Sequence, residues 1–293
     1  MHDTNLMTGE YESLVPPPPP LRRRGFLVTA LGAGFALAVQ PVRAQTAITT
    51  DSQGLTVGGI QVPTADGSMP AYRAQPATGG NFPVILVVQE IFGVHEYIKD
   101  ICRRLAKLGY QAIAPELYAR QGDPRQYTAI PDILAKVVSK VPDSQVMADL
   151  DACVAWAKAN GGDTARLGVT GFCWGGRIVW LYAASARAPK AAAAWYGRLS
   201  NATNALQTRS VMDIAPKLKT PVLGIYGGQD SGIPVAHVEM MKKEIADAKK
   251  PSEIILYPNA GHGFNADYRP GYAKADAEDA WKRMLAWFKK NGV

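Results

Sequence analysis

Three side chains in this sequence have the types, and the order along the chain, that nucleophilic catalysis requires. Cys173 stands in Gly171-Phe172-Cys173-Trp174-Gly175-Gly176, between a β-like run and a helix-like one. A strand that reverses into a helix this quickly lifts a nucleophile above the sheet only if small residues lie two before and two after it. Gly171 and Gly175 hold those places. The Trp174 amide, at the helix start, then points where an attacked carbonyl oxygen would become negative. A thiol also needs a base to take its proton and a third group to fix the base's tautomer. His262, in Ala260-Gly261-His262-Gly263-Phe264, and Asp230, in Gly228-Gln229-Asp230, each follow a β-like run and fit those roles. The plainer readings are a buried structural thiol for Cys173 and a turn histidine for His262. His95 and His237 are the other histidines beyond residue 44; His237 falls in the first turn of an expected helix, and His95 lies near the sheet crevice. Asp247, Asp267 and Glu253 read as surface charges.

Glu90 ends the run Phe82-Pro83-Val84-Ile85-Leu86-Val87-Val88-Gln89-Glu90. A carboxylate at the end of a buried strand is costly unless paired, so Glu90 requires a partner at the site. A free thiol with a pKa of about 8.5 is only a few per cent thiolate at neutral pH, and a nearby carboxylate could gate that ionisation. A hydrogen bond to a loop amide or an arginine is the plainer role. The amide of Ile91 is placed to be the second oxyanion donor.

These groups need a sheet to carry them. Leu55 to Val62 and Met69 to Gln75 read as a hairpin turned by Ala65-Asp66-Gly67. The Phe82 run is typical of a strand buried on both faces, at the centre of a parallel sheet. A helix over Tyr97 to Leu108 with Gly109 behind it, then a strand over Gln111 to Pro115, begins a βαβ rhythm. Residues 116–143 loosen into a loop with a helical stretch at Ile130 to Lys140. A helix over Gln145 to Asn160, with Val146, Leu150, Val154 and Ala157 on one face, leads to a strand at Arg166 to Thr170 and an elbow helix to about Ala186. Strands at Ala191 to Trp195, Pro221 to Tyr226 and Glu253 to Tyr257 follow, with a helix at Val235 to Ala248 between the last two. A closing helix over Lys274 to Asn291 turns Trp281, Leu285 and Phe288 inward. The fold class is α/β, a mostly parallel sheet with an N-terminal hairpin and helices on both faces. The order nucleophile, acid, histidine is that of the α/β-hydrolase fold.

The first 44 residues read as an export address. Arg22-Arg23-Arg24-Gly25-Phe26-Leu27 looks like a twin-arginine signal, followed by an apolar run from Val28 to Val39 and a small-residue site, Val42-Arg43-Ala44. The run is shorter than the roughly 20 apolar residues that cross a bilayer, so cleavage after Ala44 and a periplasmic or secreted protein without stable membrane association are expected. Residues 45–53 form a polar leader, and 54–293 make one domain. Beyond residue 44 there are 28 Lys and Arg against 22 Asp and Glu, with no dense basic run, which speaks against nucleic acid as a partner. Three widely spaced cysteines give neither a disulfide framework nor a zinc knuckle. With Cys102 and Cys153 on helices of opposite sheet faces, both are expected to stay unpaired.

Gln89-Glu90-Ile91-Phe92-Gly93, Leu117-Tyr118-Ala119-Arg120, the Cys173 elbow, Trp195-Tyr196-Gly197, Gly228-Gln229-Asp230 and Ala260-Gly261-His262-Gly263-Phe264 together resemble the dienelactone hydrolase family. The resemblance spans nearly all of residues 55–290. It implies a monomeric α/β-hydrolase that opens a small-molecule lactone or ester through Cys173, His262 and Asp230, with no cofactor or metal. It makes Glu90 the glutamate that interacts with the thiol, Arg120 the group that binds a substrate carboxylate, and Phe92, Tyr118 and Tyr196 further substrate-binding residues. Where the best-known members carry a second arginine four residues after the histidine, this sequence has Ala266. Arg269 is the nearby replacement, with Asp267 as its competing partner; for Arg120 the plainer reading is a pair with Asp123. A broad carboxylesterase or thioesterase, and a ligand-binding or redox-sensing protein on the same fold, are the alternative functions.

Overall fold

The Asp66-Gly67 turn forms the expected hairpin, because Gly67 takes the positive φ (142°) that a side chain would resist. Strand β1 (Leu55–Thr64) pairs antiparallel with β2 (Gly67–Pro76) from Thr64↔Gly67 to Leu55↔Pro76. The computed structural model describes residues 46–293, apart from 186, 188, 201 and 202. The expected signal at 1–44 lies outside the described residues.

From β2 the sheet continues through β4 (Gln111–Pro115), β3 (Phe82–Val88), β5 (Gly162–Phe172), β6 (Ala191–Trp195), β7 (Val222–Gly227) and β8 (Glu253–Tyr257), in the order β1-β2-β4-β3-β5-β6-β7-β8. The β1–β2 and β2–β4 pairs are antiparallel and the other pairs parallel, so β2 runs against the rest of the sheet. Strands β4, β6 and β7 are buried at every residue, which is why they read as unbroken apolar runs. Helices α1 (Glu96–Lys107), α3 (Asp143–Ala159), α4 (Trp174–Ala183), α5 (Val235–Asp247) and α6 (Lys274–Lys290) surround the sheet. The short α2 (Ile130–Lys136) lies between two one-turn 3-10 segments, Pro124–Gln126 and Val138–Lys140, in the connection after β4.

Two expectations need correcting. The buried stripe of α6 is Ala277, Ala280, Met284, Trp287 and Phe288, whereas Trp281 and Leu285 are half-buried at its margin. The innermost face thus carries Trp287 and Phe288 beside the small Ala277 and Ala280, with Trp281 and Leu285 flanking it. The leader is also more than a polar lead-in: Thr50 donates its amide to Asp100 Oδ1 at 2.6 Å, and Arg103 Nε donates to the Thr50 carbonyl at 2.7 Å. Among the described residues all three cysteines are buried and none is in a disulfide, as expected of Cys102 and Cys153.

Candidate active site

In a parallel sheet the carboxyl ends of the strands open onto one crevice. Glu90 follows β3, Cys173 follows β5, Tyr196 follows β6, Asp230 follows β7 and His262 follows β8, and these five strands are consecutive neighbours. The elbow depends on close backbone approach. A Cβ on Gly171 would lie 2.6 Å from the Gly175 carbonyl oxygen, and one on Gly175 would lie 2.5 Å from those of Val88 and Gln89. Cys173 itself sits at φ 57°, ψ −117° as the N-cap of α4. A non-glycine residue in this region stores about 1–3 kcal/mol and persists only where its surroundings hold it. Here they do: the Cys173 amide donates to the Trp195 carbonyl at 3.0 Å, and the Cys173 carbonyl accepts from Gly176 at 2.9 Å.

The structure brings the acid and base together as expected. Nδ1 of His262 lies 2.7 Å from Asp230 Oδ2, with both side chains buried. Asp230 is itself fixed, its Oδ1 accepting from the amides of Gly232 (2.9 Å) and Ile233 (3.2 Å). Because the carboxylate can only accept, Nδ1 carries a proton and Nε2 is left to exchange one. Burial opposes charging His262, but the Asp230 charge, the Cys173 sulfur and hydrogen bonding to both carry the imidazole pKa well above its ordinary value. That direction favours a protonated imidazole beside the Cys173 sulfur. His237 lies in the first turn of α5 and is half-buried.

Glu90 is 1 % exposed and has more partners than the sequence revealed. His95 Nε2 lies 3.1 Å from its Oε2, and the Tyr268 hydroxyl donates to the same oxygen at 2.9 Å. Burial pushes its pKa up, but the bond and charge of His95, the charge of Arg269 and the Tyr268 hydroxyl outweigh it and bring the pKa below the ordinary value. Stability from this group is therefore present above about pH 4.5, its unfolded value, and is lost as pH falls through the lower folded value. In thermal melts, the stability gap between the parent and Glu90→Gln should be widest near neutral pH and close in acid; a gap that widens in acid would contradict the assignment.

Phe92, Tyr118 and Tyr196 surround these groups. The Tyr118 ring packs 4.9 Å from Trp174 and its hydroxyl donates to the Glu90 carbonyl at 3.4 Å; the Tyr196 ring lies 5.2 Å from His262. Arg269 is 5 % exposed, its guanidinium 5.7 Å from the Phe92 ring centre and 5.9 Å from that of Tyr268. Its sequence competitor Asp267 is buried, not a surface charge, and pairs instead with Arg104 at 2.5 Å. Tyr268 was not legible as a site residue. It lies on the His262 loop, but loop spacing does not say which side chains turn toward Glu90.

Arg120 faces carboxylates of this chain. It binds Asp66 at 2.6 Å through Nε and again through Nη2, and Asp149 through Nη1 (2.8 Å) and Nη2 (3.0 Å). Its expected alternative partner, Asp123, pairs with Arg125. Two carboxylates distant in sequence thus hold the guanidinium between the hairpin turn and α3. Arg120→Ala leaves the buried Asp149 without its cation and should cost about 1–2 kcal/mol of stability in denaturant titrations. Its kcat/KM on esters should stay within about 2-fold of the parent; a large selective loss on anionic esters would restore the anchor role.

A cysteine at a strand-to-helix elbow, an Asp–His pair on the next strand ends and this strand order define an α/β-hydrolase. The model of the Dienelactone hydrolase family matches residues 69–292. A protein of Methylorubrum extorquens described as "Putative carboxymethylenebutenolidase" is 61 % identical over 274 residues, 93 % of this chain and 94 % of that one. One of the same description from Escherichia coli K12 is 53 % identical over 267 residues, 91 % and 98 % of the two chains. The crystal structure of a "Putative Dienelactone Hydrolase" from Klebsiella pneumoniae superposes with a TM-score of 0.79 at 52 % identity, covering 80 % of this chain and 99 % of that one. The chain belongs to the dienelactone hydrolase family.

Proposed function

We propose that this protein is a carboxylic ester hydrolase that opens small lactones or esters by a Cys173–His262–Asp230 mechanism. The observation that carries the reading is the 2.7 Å Asp230–His262 pair beside a nucleophile held at positive φ. The Asp230 charge and hydrogen bond outweigh the cost of burial and make His262 ready to hold the thiol proton. The thiolate attacks the substrate carbonyl carbon, and the carbonyl electron pair moves to oxygen, met by the amides of Ile91 and Trp174. Among the described residues neither amide donates to a loop or turn carbonyl, and the Trp174 amide is a first-turn helix donor with no intrahelical acceptor. One such donor contributes about 2.7–4 kcal/mol to lowering the barrier. Collapse breaks the bond to the leaving oxygen, which takes the His262 proton. Water, deprotonated by His262, then attacks the thioester, and the acid product leaves as the thiol–imidazole pair is restored. The test is pre-steady-state hydrolysis of an activated aryl ester. A burst close to one product per protein followed by turnover supports the mechanism; stoichiometric release without turnover favours a reactive-thiol sensor.

The protein is further proposed to act as a monomer outside the cytoplasm, after cleavage behind Ala44, on the strength of the Arg22-Arg23-Arg24 signal. Protein purified from its source should begin at Gln45; an intact N-terminus in the cytoplasm would refute export.

A further inference from the structure

Arg120 already faces carboxylates, and two buried neutral donors beside the site have no hydrogen-bond partner. Arg120 is bound to Asp66 and Asp149, and the place four residues after the histidine holds a buried Ala266. Arg269 lies against the rings of Phe92 and Tyr268, and its charge acts on Glu90. A substrate carboxylate reaching Arg269 would have to share it with Glu90, two like charges in a desolvated crevice. By contrast, the Tyr196 hydroxyl and the Trp174 indole N–H are buried without a hydrogen-bond partner. Neither side chain is loosely placed. Tyr196 is held at φ 36°, its ring packed on His262 and its hydroxyl within electrostatic reach of Cys173 and Glu90. Trp174 follows the nucleophile directly and packs on Tyr118. Buried donors without partners are rare in folded proteins, and each calls for an explanation in function or solvation.

Resting on the hydrolase reading above, we propose that the site selects uncharged esters or lactones bearing an oxygen acceptor beyond the scissile carbonyl, with the Tyr196 hydroxyl and the Trp174 indole N–H as the donors that read it. A site built to hydrogen-bond a substrate group rejects an analogue that lacks the group more strongly than one that only adds bulk. Tyr196→Phe keeps the ring against His262 and removes only the donor. Arg269 then serves to hold Glu90 and plays no part in binding an anion.

The experiment compares three p-nitrophenyl esters: the glutarate half-ester with its free carboxylate, the methyl-capped glutarate diester, and hexanoate, which lacks a second acceptor. The parent should favour the capped diester over the half-ester by about 10-fold or more in kcat/KM. Tyr196→Phe and Trp174→Phe should each lose about 10-fold more on the capped diester than on hexanoate. Preference for the half-ester, abolished in Arg269→Gln, would overturn the proposal, as would equal losses on all three esters in both donor variants. Calorimetric binding of the capped diester and the half-ester to Cys173→Ala protein reads the charge preference without turnover. A parent that hydrolyses none of the esters would therefore sink the hydrolase reading alone, while the binding comparison still decides this one.

Discussion

Cys173→Ala should fold like the parent and lose hydrolysis by about 10⁴-fold or more, because it removes the atom that attacks while leaving the oxyanion donors and the Asp230–His262 pair in place. The fold should survive because alanine meets the same backbone strain at φ 57° that cysteine already bears. Cys173→Ser should also be far weaker than the parent. A hydroxyl is much less acidic than a thiol, and the part of the imidazole pKa rise that comes from the Cys173 sulfur is lost with it. Cys102 and Cys153 provide internal controls. Burial raises the pKa of both thiols well above the ordinary value, so neither offers a competing thiolate. Near-parent turnover by folded Cys173→Ala would remove the nucleophile from this account.

Asp230→Asn should cost about 10²–10⁴-fold in kcat with little change in stability. The asparagine oxygen can replace Oδ1 as acceptor for the Gly232 and Ile233 amides, which holds the loop in place. Its amide nitrogen then faces His262 Nδ1 where a carboxylate oxygen stood at 2.7 Å. That nitrogen donates, so the ring must accept at Nδ1 and carry its proton on Nε2, the wrong tautomer for taking one from the thiol. Loss of the Asp230 charge also removes the strongest of the influences that raise the imidazole pKa. The active ion pair exists between the thiol and imidazolium titrations, so the alkaline limb of kcat/KM should move to lower pH in Asp230→Asn. An unchanged limb with an unchanged kcat would mean that Asp230 only anchors its loop.

Much of this arrangement was legible because the fold encodes it locally. The hairpin follows from Asp66-Gly67, β4, β6 and β8 follow from short apolar runs with no period to confuse, and the elbow follows from glycines that two close backbone approaches demand. Asp230 and His262 were readable because each ends a strand, and strand ends in a parallel sheet share one crevice. What escaped notice depends on contacts between residues far apart in the chain. Arg120 meets Asp66 and Asp149 only once the hairpin and α3 have folded. Glu90 was read as needing a partner, and one of the two, His95, lies five residues away; the other, Tyr268, lies 178 residues away. The inward face of α6 was misjudged because its apolar residues span a stripe broader than the buried one, and the sequence does not say which of them meet the sheet.

The most direct measurement is the mass of the protein during turnover. Acid quenching in the steady state with an ester of slowly hydrolysed acyl group should give a species heavier by one acyl group, and peptide mapping should place it on Cys173, with Cys102 and Cys153 unmodified. Turnover with no acyl adduct under conditions where deacylation limits the rate, or an adduct on a residue other than Cys173, would contradict the mechanism.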